Sequence, residues 1–185
     1  MTFRFLPLVL PLALLAGCAQ PRVLPNLDRT TMLQGLYSYG AGDRDLRLVV
    51  RGNPFAVPQT AFDQAVERDM AGGGTLQPPP RPRLNPDASA RPNYQLVLVF
   101  QPAPTTDGQD ACNGQPGGGA AGGGEVKVVA AFCVAGKAVG QATGWAGASG
   151  PEDPKLAELL HEVSMELFRP DDASPGAGGS SGGSP

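Results

Sequence analysis

The chain is short of the residues that most enzyme chemistry uses. Its 185 residues include one histidine, one tryptophan and three cysteines, and Lys127, Lys137 and Lys155 are the only lysines. Charged residues make up 17% and the formal net charge is -3. There is thus no basic field to hold a nucleic acid and no acidic block of the kind that forms solvating tails. The lone His161 is followed by Glu162, which begins like a zinc-protease helix. Met165, after Ser164, however, stands where HExxH needs its second imidazole, so two ligands cannot share one helix face. No serine lies in a GxSxG context, and a Ser–His–Asp site would have no anchored nucleophile.

Phosphate-binding signals fail in the same way. Gly117, Gly119 and Gly122 satisfy GxGxxG only inside a low-complexity stretch that precedes a strand. Cradling a phosphate requires the glycines to follow a strand and open a helix. Gly136-Lys137-Ala138 lacks the upstream glycine and the Ser or Thr of a P-loop. No cofactor, nucleotide, metal or nucleic acid is therefore expected, and the chain reads as non-catalytic. Long apolar runs are missing too. The longest, Phe5 to Leu15, has 11 residues and contains Pro7 and Pro11, about half of the roughly 20 that a helix needs to cross a bilayer.

Glycine and proline are abundant: 26 and 20 residues, about a quarter of the chain. That approaches the composition of disordered segments. Residues 171–185 are almost entirely Ser, Gly, Pro, Ala and Asp, which cannot bury enough apolar surface to offset chain entropy. Two similar stretches, 72–92 and 102–125, interrupt the middle as flexible inserts too long for ordinary connections.

Residues 1–17 show the layout of a signal peptide: a basic start with Arg4, an apolar run, and small Ala16 and Gly17 before Cys18. Leu15-Ala16-Gly17-Cys18 resembles the lipobox of bacterial lipoprotein precursors at all four positions. The resemblance implies that the Cys18 thiol receives a diacylglycerol, that the preceding peptide is removed, and that the freed amine is acylated. Several acyl chains, at about 0.8 kcal/mol per buried methylene, suffice for stable anchoring. Ala19, where an Asp would favour inner-membrane retention in that family, implies the periplasmic side of an outer membrane if the source has one. The alternative is a general secretory signal cut near Ala19. Residues 18–43 read as the lipidated N-terminus and a tether with a reach of about 25 to 30 Å. Its second half, with the apolar cluster Met32, Leu33, Leu36, Tyr37 and Tyr39, can dock on the domain.

Residues 44–170 carry periodic segments. "LRLVVR" (46–51) alternates and reads as a strand, and "YQLVLVFQ" (94–101) as a buried central strand. "VKVVAAFCV" (126–134) and "KAVGQATGWA" (137–146) read as a hairpin about a short turn. In the last strand Ala138, Gly140, Ala142 and Gly144 share one face, leaving room for a helix, and Val139, Gln141, Thr143 and Trp145 share the other. A helix with Phe62, Ala65, Val66 and Met70 along its stripe starts near Thr60, with Asp63 in a weak capping box. A second follows the Asp153-Pro154 start, with Leu156, Leu159, Leu160, Val163 and Leu167 on one face, and ends before Pro170. The expected fold is a small α+β two-layer sandwich: a mixed four-stranded sheet in the order β-α-β-β-β-α, with two helices on one face.

In a chain that resembles an exported one, Cys112 and Cys133 are an even pair for which a disulfide is the expected use. It would restrict the unfolded chain by about 3 kcal/mol on a chain-entropy account, and residues 102–112 would have to run back along the sheet. The alternative is a buried thiol at Cys133 and an exposed one at Cys112. Arg81 and Arg83, in the stiff "QPPPRPRL" segment, could pair with a partner's carboxylates, or the segment could be a plain spacer. Trp145 could sit on a binding face near Tyr94 or Phe100, or be a packed core or edge aromatic. Together these features point to an envelope lipoprotein facing the periplasm, lipid-anchored at Cys18 and presenting its domain to a protein partner. The alternative is a module that binds a small ligand or a cell-wall glycan. A cleft of convergent polar groups would favour the latter, a flat face or open strand edge the former.

Overall fold

The computed structural model describes residues 20–25, 32–71, 79, 81–119 and 124–169. Cys18, the signal segment, Pro170 and the 171–185 tail lie outside the described residues. In chain order the elements are β1 (Arg22–Pro25), α1 (Leu33–Ala41), β2 (Leu46–Arg51), α2 (Gln59–Met70), β3 (Pro82–Arg83), β4 (Tyr94–Phe100), α3 (Gly108–Cys112), β5 (Glu125–Val134), β6 (Lys137–Gly147) and α4 (Pro154–Leu167). They build one mixed sheet in the order β1-β6-β5-β4-β2-β3. β2 pairs in parallel with β3 and β4, whereas β4-β5, β5-β6 and β6-β1 are antiparallel.

The α+β class is as expected, but the described sheet has six strands rather than four, and four helices rather than two. Each addition comes from a segment read as tether or insert. Leu24 and its neighbours pair with β6 as an edge strand, Arg22 opposite Trp145. Of the expected docking cluster, Leu33 and Tyr37 of α1 are buried while Met32 and Tyr39 stay exposed, and the Tyr37 ring packs 4.8 Å from Phe168 and 6.2 Å from Phe132. Arg91 pins the end of this helix, its Nε donating to the Tyr39 carbonyl at 2.9 Å while the guanidinium stands 3.6 Å above the Tyr39 ring. The described parts of the supposed tether, 20–25 and 32–43, are therefore part of the domain. Pro82 and Arg83 pair beside Leu46 and Arg47, so the stiff segment ends as a short edge strand.

α1, α2 and α4 lie against one face of the sheet. There Leu48, Leu96, Leu98, Val128 and Phe132 are buried with Phe62, Val66, Leu159 and Val163 in a single core. Phe62 stacks edge-on against Phe100 at 4.8 Å. The small residues of β6 let α4 approach as expected: a Cβ at Gly144 would lie 2.6 Å from Leu159 Cδ1 and 2.9 Å from Val163 Cγ2. One detail of that alternation is corrected. A bulge between Phe132 and Cys133 sets Phe132 opposite Gly140 and Cys133 opposite Ala138. The extra residue, Val139, packs against the main core instead of sharing a face with Gln141, because a bulge inverts the in-out pattern beyond it.

α4 starts as its sequence indicates: Asp153 Oδ1 accepts from the Lys155 amide at 3.0 Å, with Pro154 in the first turn. α2 does not. Pro58 is its N-cap and no side chain caps it; Thr60 is exposed in the first turn, and Asp63 accepts instead from Gln59 at 2.7 Å. The β5-β6 turn places Ala135 and Gly136 at φ +49° and +80°, both in the left-handed region that two-residue hairpins require. Among the described residues no helix is long and apolar enough to cross a membrane.

Candidate binding groove on the second face

The opposite face of the sheet is built differently. Val97, Val99, Val129, Ala131 and Cys133 form a small apolar patch on β4 and β5, covered by Ala111 of α3. Residues 102–112 run back over the sheet, and Cys112 and Cys133 are joined by a disulfide with Cα atoms 5.7 Å apart. The expected pairing is thus present, and the first part of the 102–125 insert is ordered by it.

Polar side chains complete the attachment. Asp107 and Asp110 form a capping box at the start of α3, which satisfies two of the amides that so short a helix would otherwise leave unpaired. Gln109 Nε2 donates to the Gly136 carbonyl at 2.9 Å and its Oε1 accepts from the Ala138 amide at 3.1 Å, tying α3 to the hairpin turn. Gln141 Oε1 accepts from the Gly108 amide. From β2, Arg51 Nη1 donates to the Ala111 carbonyl at 2.6 Å, and partial burial lowers its affinity for a proton.

Between this cover and the exposed edge of the sheet runs a shallow groove of about 270 Å³, with Leu24 and Trp145 as apolar walls and Lys127, Gln141, Thr143 and Thr106 as polar ones. Thr106 is buried, and among the described residues its hydroxyl has no hydrogen-bond partner. Trp145 is half-buried between two cations from the flanking strands: the Arg22 guanidinium lies 5.4 Å, and Lys127 Nζ 5.9 Å, from its ring centroid. Arg22 also donates to Glu125 Oε1 at 3.0 Å. The groove thus offers apolar, cationic and hydrogen-bonding contacts.

The residues singled out from sequence do not converge. Trp145 lines the groove but is not beside Tyr94 or Phe100, which pack with the core on the helical face, and Arg81 and Arg83 lie at the far edge of the sheet, beside β2. Arg83 stands 3.7 Å from Glu67 of α2, and the Arg81 carbonyl accepts from the Leu46 amide at 2.9 Å. His161 is exposed on α4, beside a second open groove of about 350 Å³ with Glu162 and Met165. Among the described residues no group of His, Cys, Asp and Glu could hold a metal ion. Sequence reasoning missed Arg22, Leu24, Lys127 and Thr106, because their neighbourhood depends on the pairing of β1 with β6 and on the path of the insert. The Asp107…Asp110 spacing was the one local signal for α3. Comparison with protein-family models, with curated proteins and with solved structures finds no match.

Proposed function

We propose that the protein is a non-catalytic envelope lipoprotein, anchored by acylated Cys18, that presents this domain to a periplasmic or outer-membrane protein through the second-face groove. The anchor rests on Leu15-Ala16-Gly17-Cys18, and the disulfide supports an oxidising compartment. The observation that carries the partner reading is the form of the groove. At about 270 Å³ and open to solvent, it is smaller and shallower than the roughly 300 to 1,000 Å³ clefts that enclose most of a small ligand. It can still receive a ridge of a protein surface, with Leu24 and Pro104 as apolar contacts and Gln141, Thr143 and Thr106 as the polar ones. Arg22 and Lys127 already stand over the Trp145 ring, which leaves little of it for a sugar to stack on and counts against the glycan alternative.

The test is a photo-crosslinking residue at Thr143 in intact cells, with one at exposed Glu158 on α4 as reference. A discrete adduct from Thr143 alone, identified by mass spectrometry as an envelope protein, is the expected result. Adducts of equal yield from both positions, or retention on purified cell wall without any protein adduct, would remove the protein-partner reading. Cys18→Ser is expected to release the protein from the membrane fraction.

A further inference from the structure

At the corner of the sheet where β1 and β5 begin and β6 ends, three side chains form a row across the strands. Trp145 is the register partner of Arg22 on one side and of Lys127 on the other. Arg22 is 66% exposed along its side chain, Leu24 on the same strand is 59% exposed, and Trp145 is half-buried. Glu125 neutralises one cation through Arg22, while Lys127 forms no ion pair among the described residues. The row therefore keeps one positive charge in excess beside an amphipathic indole. Trp settles at the headgroup level of a bilayer, and Lys or Arg beside it is drawn to anionic lipid and extends its charged end toward the phosphates.

The length of chain before the row gives it an occupant. With β1 beginning at Arg22, only Ala19, Gln20 and Pro21 separate the sheet from Cys18. That is at most about 14 Å of extended chain, about half the reach expected of a free tether and comparable with the roughly 5 to 8 Å headgroup layer of one leaflet plus a margin. We infer that this corner is a membrane-contact surface: Trp145 sits among the headgroups of an anionic phospholipid layer, Arg22 and Lys127 meet its phosphates, and the domain stands with its β1 corner on the bilayer. This rests on the anchored reading above, and it orients the rest of the groove alongside the membrane.

Trp145 is the chain's one tryptophan, so intrinsic emission reports this position alone. The full lipidated chain, extracted from membranes and checked for the lipid by intact mass, is reconstituted into phosphatidylethanolamine–phosphatidylglycerol vesicles and floated. Vesicles with brominated acyl chains are then compared with unbrominated ones. The expected result is loss of Trp145 emission to bromine together with protection from acrylamide in the water. A chain that floats but stays bright and open to acrylamide would overturn the orientation and leave the anchor standing. A chain without the lipid mass, or one that fails to float, would overturn the anchor and this inference with it. Replacing phosphatidylglycerol by phosphatidylcholine is expected to weaken the quenching, and equal quenching would overturn the part assigned to Arg22 and Lys127.

Discussion

On one face of the sheet three helices bury Leu48, Leu98, Val128 and Phe132 beneath Phe62, Tyr37, Leu159 and Val163. On the other, the cover is a five-residue helix held by one disulfide, by Arg51 and by the side chains of Gln109 and Gln141. The first attachment is made of apolar area, which is roughly additive and lost only when the whole core opens. The second is made of a covalent bond and a few directed hydrogen bonds, so it can open on its own. Local opening of this kind is where binding surfaces are usually found, and the groove lies beside it.

The comparison can be broken most directly from the helical side. Leu159→Ala leaves a gap above Gly144 and is expected to cost about 2 to 5 kcal/mol, read as a lower denaturant midpoint with both faces unfolding together. If α3 alone melted, the assignment of the main core to this face would fail. Next in size is the disulfide. Cys112→Ser with Cys133→Ala should cost about 3 kcal/mol and expose the amides of residues 108–114 to hydrogen exchange while β4 and β5 stay protected. Simultaneous loss of protection on both faces would contradict the division.

The smallest effect sharpens the contrast at α4. The Asp153 carboxyl accepts from the Ser149 amide, the Lys155 amide and the Ser149 hydroxyl, which hold its pKa below the ordinary carboxylate value. Asp153→Ala should cost about 1 kcal/mol at neutral pH. Because the native pKa is depressed, the contribution is complete above the unfolded value of about 3.9. It is lost as pH falls through the native value, so the gap between parent and variant should close on acidification. A gap that widened in acid would mean that Asp153 acts in its protonated form.

How much of this was legible depended on whether the information was local. β2, β4, β5, β6, α2 and α4 each announce themselves through a period of two or of three to four, and their ends fall within a residue or two of expectation. β1 is four residues with a proline, and β3 is two. Neither is long enough to show a period, and each exists only because a partner strand is there. α1 carries Gly35 and Gly40 among weak helix formers, and burial of Leu33 and Tyr37 overrides the propensity. Of the groove, Trp145 could be named from its strand alone. Its neighbours Arg22 and Lys127 could not, since they reach it only through the register of three strands.

The pairing of Arg22 with Trp145 also imposes an order in time. During synthesis β1 emerges early and finds no partner until the last strand, β6, has been made, so this edge of the sheet closes late. Pairings of such long sequence separation are slow to form. Until then β1 has no strand to pair with, and this side of the sheet stays open.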